Sequence, residues 1–542
     1  MSKASAGGWG TMSRLAILAA AFFVVCGDGR SAEPAKVVDL VEEPLPDSFT
    51  RVYGSRGTGE RGVPVAGGHD CDGDGFPDYA FASIQASPFN RTKAGEVSLI
   101  FESGLIGGQL DTAVVDGSYL LIAGGGLYEA AGAEIWMDDV NGDGLGDLLI
   151  GRQNASPLPG PRWGAGALSI LLGSPELRAL ADERRILDLA APPSEVDVIH
   201  VFGSTFYERM GIWMRTGDID GDGIADIAVG ADEYDLVGER NRGTAYVIRG
   251  GDHLSEGKSI DLARFGNTAL AGHVARIHPP VGATDFHFGA TVQIADLDDN
   301  GRGEVLVAAT LDRAGAALRF PGAPTGTGVS IGGAARGGLY IVWDDHFPDE
   351  EWTAPYEIYL ATAPGQVTDD FSAIFGGRFN NRFGEEIIGD FDLDGNGRSD
   401  LAVGDLKGFP NGLRSGLGTL FLNAADLKNQ LFTLQSPPSD LEIRFIYGPR
   451  TNALGADSMV AGDFDGDGTD DLAVTNPHDD PLDRNSAGSV HVIYGRSGEW
   501  PTVIDLKEGN LPEPGLVRVA LIAGGKGSSN GNDGDTLGYS AA

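Results

Sequence analysis

The stretch Asp218-Ile-Asp220-Gly-Asp222-Gly-Ile-Ala-Asp226 is followed directly by Ile227-Ala-Val-Gly230, and the rest of the chain is spaced around copies of this arrangement. Its carboxylates stand at positions 1, 3, 5 and 9, a main-chain carbonyl is available at position 7, and glycine at position 6 allows a tight turn. Ca²⁺ takes six to eight oxygen ligands at about 2.3–2.6 Å in a flexible shell. The stretch therefore predicts a loop that binds one hard cation and leads into a strand.

The same spacing occurs six times, with glycine at position 6 in every copy. The candidate ligands at positions 1, 3, 5, 7 and 9 are, in chain order, Asp70, Asp72, Asp74, Phe76 and Asp78; Asp139, Asn141, Asp143, Leu145 and Asp147; Asp218, Asp220, Asp222, Ile224 and Asp226; Asp296, Asp298, Asn300, Arg302 and Glu304; Asp392, Asp394, Asn396, Arg398 and Asp400; and Asp463, Asp465, Asp467, Thr469 and Asp471. The seventh residue of each set contributes its carbonyl oxygen. Only the fourth copy ends in glutamate, which is one methylene longer than aspartate. The six copies together predict up to six bound Ca²⁺ ions.

An EF-hand is the nearest alternative for this spacing, but it requires a glutamate at position 12 and flanking helices. Position 12 is apolar in every copy and mostly β-branched: Phe81, Ile150, Val229, Val307, Val403 and Val474. Such residues in short apolar runs favour buried strands. We therefore expect each loop to connect one strand to another.

The chain has 542 residues, of which 42% are apolar; it contains 83 glycines and has a formal net charge of −39. This length and apolar content suffice for a large core, and the many glycines indicate tight turns between short strands. The negative charge argues against nucleic acid and anionic membranes as partners. Six Ca²⁺ ions would reduce the net charge from −39 to −27. No segment after the N-terminal region has the length and hydrophobicity of a transmembrane helix.

The N-terminal region resembles an export signal. Arg14 precedes the apolar run Leu15 to Cys26, which is too short to span a membrane as a helix and matches the hydrophobic part of a signal peptide. We assign residues 1–32 to this signal, with cleavage between 27 and 33. The chain contains two cysteines, Cys26 and Cys71, so a mature chain cut after Cys26 has no internal disulfide. The expected location is secreted or extracellular, including the periplasm or the cell surface.

The loops mark an internal repeat, since their first positions are separated by 69, 79, 78, 96 and 71 residues. Each unit has a glycine and a strand before the loop, a strand after it, and then third and fourth strands. A four-stranded antiparallel sheet cannot bury both of its faces alone, so the repeated sheets must stack on each other. A closed β-propeller buries the faces of every sheet at once. The predicted fold is all-β, a propeller of six blades with seven as the alternative. We expect the propeller over 36–542, with repeats around 54–110, 125–190, 203–265, 282–360, 376–435 and 449–510, and a partial repeat over 516–542.

The order of glycine, calcium loop and apolar strand resembles the FG-GAP repeats of the integrin α-subunit N-terminal propeller and of bacterial integrin-like proteins. Arg382-Phe383-Gly384 and Phe288-Gly289 match the FG element, and Gly230-Ala231-Asp232 matches the GAP element loosely. The resemblance implies calcium loops on one side of the propeller and partner binding elsewhere. The family usually has seven blades, whereas this chain has six loops and a terminal segment from Asp535 to Ser540 that resembles the start of another unit.

Two functions are consistent with these patterns. The first is an exported calcium-binding propeller that serves as a binding or adhesion module for an extracellular protein or glycan. The alternative is a polysaccharide-processing enzyme, a lyase or hydrolase, on the same scaffold. The motif Gly328-Val-Ser330-Ile-Gly332 matches a nucleophile elbow but lacks a strand-turn-helix context, and the nine histidines lack zinc-ligand spacing. The first function is favoured because folding and metal account for the repeated residues, and no catalytic residues are assigned.

Overall fold

The structure, a computed structural model, describes most of the repeats and small parts of both termini. The described residues are 15–16, 37–40, 51–53, 61–101, 109–112, 115–157, 162–236, 239–255, 259–267, 270–280, 285–310, 317–318, 329–330, 336–348, 352–361, 371–377, 382–512, 516–525, 537–538 and 540–541. The predicted export signal, apart from residues 15–16, and its cleavage region lie outside them.

Six five-stranded sheets form the blades of a six-bladed β-propeller. The first four strands of each blade are antiparallel neighbours in chain order, as predicted. For blades 1 to 3 these strands are Arg61–His69, Asp78–Ser83, Glu96–Ile100 and Tyr119–Ala123; Ile135–Asp138, Asp147–Gly151, Ala167–Leu171 and Val198–Phe202; and Met214–Gly217, Asp226–Ala231, Thr244–Ile248 and Val274–His278. For blades 4 to 6 they are Phe288–Ala295, Glu304–Ala309, Gly338–Val342 and Phe371–Phe375; Phe383–Phe391, Asp400–Asp405, Leu417–Leu422 and Glu442–Tyr447; and Met459–Gly462, Asp471–Asn476, Ser489–Ile493 and Val519–Ala523.

A short fifth strand, which the sequence did not predict, lies parallel to the fourth strand of every blade. In blades 1 to 5 the segment between the third and fourth strands of the following blade supplies it. The fifth strands are Ile186–Asp188, Ser259–Asp261, Tyr356–Tyr359, Leu431–Thr433, Val503–Asp505 and, for blade 6, Val37–Asp39. The N-terminal strand Val37–Asp39 pairs with Leu521 to Ala523 and so completes blade 6.

Parts of a further unit adjoin blade 6 and blade 1. Leu537 forms a parallel bridge with Gly488, just as Met210 bridges Gly166 before the first strand of blade 3. Arg51–Tyr53 pairs in parallel with Gln109–Asp111, the relation that fourth and fifth strands have in the blades. The range predicted for the partial repeat, 516–542, includes the fourth strand of blade 6, and Leu537 lies where a residue just before a next first strand would lie. Four of the last six residues are described.

The remaining elements are short. One α-helix, Pro175–Asp182, and six 3₁₀ helices are described: Pro88–Asn90, Asp252–Ser255, Leu262–Asn267, Asp344–His346, Ala424–Leu427 and Pro481–Asp483. Leu15–Ala16 pairs with residues of Arg51–Tyr53, and Ala317–Leu318 pairs with Val329–Ser330. In the part of the chain that is described, no helix has the length and apolar character needed to cross a membrane.

The core consists of side chains packed between neighbouring blades. Tyr340, Phe288 and Phe375 of blade 4 lie in one cluster with Ala245 and Val247 of blade 3. The Tyr340 ring lies 5.6 Å from that of Phe288 and 5.9 Å from that of Phe375, centroid to centroid. The position 12 residues of the loops are all fully or almost fully buried in second strands, as predicted. This packing fixes each second strand and with it the end of the preceding loop.

Candidate metal centres

Each candidate loop joins the first strand of a blade to the second, so all six occupy the same end of the propeller. In the third loop, the Asp218 carboxylate accepts hydrogen bonds from the N–H groups of Gly221 at 2.7 Å and Gly223 at 2.8 Å. Asp222 Oδ1 accepts one from the N–H of Ile224 at 2.8 Å. These bonds fold the loop around its first carboxylate, and the glycine at position 6 takes the positive φ that the turn requires, +85° at Gly223.

The structure brings together the side chains at positions 1, 3 and 9. Their carboxylate oxygens lie within 4.8 Å of one another in the first, third, fourth and fifth loops, in the groups Asp70, Asp72 and Asp78; Asp218, Asp220 and Asp226; Asp296, Asp298 and Glu304; and Asp392, Asp394 and Asp400. The position 5 residues lie outside these four groups. Five of them hold the turn by accepting the main-chain N–H of the residue two positions on: Asp74, Asp143, Asp222, Asn300 and Asp467.

Position 9 connects the loop to the sheet. The Oδ2 atom of Asp226 accepts the N–H of Ile219 at 2.7 Å, and its Oδ1 atom accepts that of Gly250, just after the third strand, at 2.7 Å. Asp147, Asp400 and Asp471 make the same pair of bonds in their own blades. Burial raises the pKa of each of these four carboxyl groups to about 7. A bound cation would favour their ionised form.

Glu304, the exception at position 9, differs in its hydrogen bonding. Its Oε2 atom accepts the N–H of Leu297 at 2.7 Å, while its Oε1 atom is buried without a hydrogen-bond partner among the described residues. Burial raises the pKa of Glu304 to about 8. The longer side chain thus keeps the hydrogen bond to Leu297 within the loop and leaves Oε1 available to coordinate a cation.

Basic side chains from outside the loops contact position 3, which the sequence analysis did not predict. Arg249 Nε lies 3.1 Å from Asp220 Oδ2, Lys428 Nζ lies 3.4 Å from Asp298 Oδ2, and Arg518 pairs with Asp465. In each of these three aspartates the other oxygen, Oδ1, is buried and has no hydrogen-bond partner among the described residues. Buried oxygens without partners are costly unless something compensates them. They fit a cation in the loop.

Neighbouring loops are also linked across the blades. The N–H at position 8 of one loop donates to the carbonyl oxygen at position 1 of the preceding loop in four pairs: Gly146 to Asp70 at 2.7 Å, Ala225 to Asp139 at 3.3 Å, Gly303 to Asp218 at 2.6 Å, and Asp470 to Asp392 at 3.3 Å. Between the fourth and fifth loops, the N–H of Ser399 donates instead to the side chain of Asp299 at 3.0 Å. The loops therefore form a connected series.

A further group of possible ligands, Asp232, Glu233 and His287, lies at the end of the second strand of blade 3, away from the loops. Arg209 Nη1 is 3.4 Å from the Asp232 carboxylate and 2.9 Å from that of Glu233, and His287 Nδ1 is 3.1 Å from Asp232 Oδ2. Arg209 already pairs with both acids, so the group is an ion-pair network.

Two segments match the model of the FG-GAP repeat, residues 210–248 and 455–493. The matches begin at Met210 and Gly455, shortly before the first strands of blades 3 and 6. Each runs through a candidate metal loop to the end of the third strand of its blade. FG-GAP repeats often bind Ca²⁺, and the acidic groups in these loops have the ligand types to hold it. The chain therefore contains two FG-GAP repeats within a six-bladed β-propeller, consistent with an integrin α-like propeller.

Proposed function

We propose that this protein is an exported binding or adhesion module whose propeller is stabilised by up to six Ca²⁺ ions. The observation that carries the metal part is the convergence of carboxylates at positions 1, 3 and 9, with buried oxygens of Asp220, Asp298, Asp465 and Glu304 that lack hydrogen bonds within the described residues. Oxygen-rich loops of this kind suit Ca²⁺ better than Mg²⁺, which demands a smaller and nearly ideal octahedral shell.

The binding part of the proposal rests on the scaffold. FG-GAP propellers are commonly binding modules and typically non-catalytic. The residues that recur in every unit are accounted for by loop geometry and blade packing, which leaves the variable loops to recognise an extracellular protein or glycan. Export is supported by the apolar run from Leu15 to Cys26 after Arg14.

Calcium bound only by the folded state stabilises it by about 1.4 kcal/mol per site at a tenfold excess over Kd. Six such sites would contribute as much as the whole stability of a typical domain, which is about 5–15 kcal/mol. The test is a set of thermal melts with calcium, with chelator, and with chelator plus excess magnesium, combined with elemental analysis of dialysed protein. We expect close to six calcium ions per chain and a large fall in melting temperature on chelation, with little recovery in magnesium.

Identical melting curves in all three conditions, or a content of no more than one calcium ion, would reject the metal part. Export is tested separately by mass spectrometry of secreted material. We expect a mature N-terminus between residues 27 and 33, and an intact Leu15 to Cys26 segment in the secreted protein would contradict it.

A further inference from the structure

Aromatic and apolar side chains are exposed at the end of the propeller opposite the metal loops. They lie in loops between second and third strands, or between one blade and the next, at the junctions of blades 1, 2 and 3. Their exposed fractions run from 49% to 63%, and the residues are Phe89, Leu127, Tyr128, Trp163, Phe206 and Tyr207. These six residues are called the aromatic patch below.

Two tyrosines of the aromatic patch have a backbone conformation that is unfavourable for them. Tyr128 has φ of 62° and Tyr207 has φ of 56°, in the left-handed region that bulky side chains rarely occupy. Residues at the same position in other blades can be identified because their main-chain N–H group donates the same hydrogen bond to a neighbouring blade. In each case the N–H donates to a main-chain carbonyl oxygen at 2.8–2.9 Å: Tyr128 to Thr92, Tyr207 to Trp163, Asp285 to Arg240 and Asn452 to Leu413.

Asp285 and Asn452 have the same left-handed φ, 51° and 61°. Aspartate and asparagine tolerate this region better than other residues with side chains, so they are the residues that the turn itself favours. Tyr128 and Tyr207 are 58% and 62% exposed, so they add little to the core. Folding therefore does not explain why tyrosine stands at these two positions, and an external ligand of the rings would.

The charges around the aromatic patch are balanced. Arg91 makes two hydrogen bonds to the Asp188 carboxylate, at 2.6 and 2.7 Å. Arg162 lies 2.5 Å from Asp261, and Arg209 lies 2.9 Å from Glu233. On a chain with a net charge of −39, this region presents paired ions beside exposed rings. Such a surface suits an uncharged ligand that offers both apolar faces and hydroxyl groups.

The aromatic patch also repeats. The N–H of Tyr128 is held by the loop that contains Phe89, and the N–H of Tyr207 by Trp163 itself, so two successive blade junctions present the same pair of loops. A Cβ added at Gly164 would lie 2.9 Å from the Tyr207 ring, which places that ring directly over the loop of Trp163. A ligand with its own repeat could make the same contact at both junctions.

We propose that the aromatic patch binds a neutral polysaccharide, whose sugar rings stack their CH faces on Tyr128, Tyr207 and Trp163. This inference rests on the proposed function as a binding module and names its surface and ligand class. Sugars combine CH faces that pack on aromatic rings with hydroxyl groups that bond to the surrounding guanidinium and carboxylate groups.

The test uses the full chain in calcium, with Tyr128→Asn, Tyr207→Asn and the double variant. Asparagine is the residue found at the equivalent turn position 452, so these changes keep the turn and remove the ring. Leu413→Asn is the matched control, because Leu413 is 66% exposed at the same end of the propeller but outside the aromatic patch. The probes are cellulose, mannan, galactan and starch, with alginate and pectate as acidic polymers, in affinity electrophoresis and pull-down assays.

We expect binding to at least one neutral polymer, a loss of at least tenfold in the double variant, and no loss in Leu413→Asn. The melting temperature of each tyrosine variant should equal or exceed that of the parent chain. Binding to none of the neutral polymers, binding only to the acidic ones, or retention within twofold in the double variant would overturn the proposal. Calcium content measured on the same variants tests the metal part of the proposed function separately from polysaccharide binding.

Discussion

The main-chain N–H of Gly303 donates a 2.6 Å hydrogen bond to the carbonyl oxygen of Asp218, which joins the fourth candidate metal loop to the first residue of the third. Bonds of the same kind connect the first loop to the second and the second to the third. Neighbouring sites therefore share main-chain contacts. A change in one loop should affect the next through a hydrogen bond, which typically contributes about 1 kcal/mol.

The first prediction concerns Asp222→Ala. Loss of this carboxylate removes the bond to the Ile224 N–H and disorders the turn of the third loop. We expect the calcium content to fall by one ion. Calorimetric titration should also show the calcium affinity of the second loop falling by up to about fivefold, because Ala225 of the third loop donates a hydrogen bond to Asp139 of the second. Glu183→Ala, at an exposed helix end, is the control. Loss of several ions would show stronger coupling than these bonds allow.

The second prediction concerns the fourth loop, which should be the weakest site. Its position 9 residue is Glu304, and Lys428 Nζ lies 3.4 Å from Asp298 Oδ2. The substitution Lys428→Gln removes the positive charge of the lysine and should strengthen calcium binding in that loop several-fold. The gain in binding free energy should be only about 1 kcal/mol, because the lysine is partly exposed to solvent. Calcium titration should show the change, and Lys507→Gln should not. Weaker binding in Lys428→Gln would contradict the prediction.

The third prediction concerns pH and the buried carboxylates of the first strands. Arg215 Nη1 lies 2.6 Å from Glu134 Oε1, and Arg215 Nη2 lies 3.8 Å from Glu386 Oε1, so one guanidinium faces two acids. Burial raises the pKa of Glu386 to about 8, whereas a glutamate in the unfolded chain has a pKa near 4.3. Between about pH 4.3 and pH 8 the folded state retains a proton that the unfolded state has lost.

The free energy of unfolding should therefore fall as the pH rises through that range, by at most about 1.4 kcal/mol per pH unit for this group. Glu386→Gln should reduce this slope, and denaturant titrations in saturating calcium at pH 5 to 8 measure it. Glu183→Gln serves as the exposed control. If the slope of Glu386→Gln equals that of the parent chain, Glu386 is ionised in the folded protein.

The fourth prediction uses Cys71, which occupies position 2 of the first loop and is fully buried as a free thiol. Burial also raises the pKa of this thiol, so the reactive thiolate is disfavoured. We expect alkylation to be slow in calcium and much faster after chelation, because an open first loop exposes the sulfur. Labelling followed by mass spectrometry provides the measurement. Equal rates in both conditions would show that the loop stays closed without metal.

The loops and the four antiparallel strands of each blade were predictable from the sequence because they depend on local contacts. The bond from Gly223 to Asp218 spans five residues, and the buried residue at position 12 follows at a fixed distance along the second strand. The FG-GAP resemblance rests on such short spacings, whereas the expected repeats and the six blades follow from the recurrence of the loop every 69–96 residues. The composition of each loop also specified which oxygen ligands it offers.

The contacts that complete these units depend on tertiary structure. The parallel pairing of Val274–His278 with Tyr356–Tyr359, the approach of Arg249 to Asp220, and the cross-blade bond from Gly303 to Asp218 each join residues that are far apart in the chain or belong to different blades. No local pattern marks them, because they form only when the blades pack against each other. The oxygen ligands that each candidate loop offers follow from its local sequence, whereas the packing of the blades sets which basic side chains and neighbouring loops each candidate site meets.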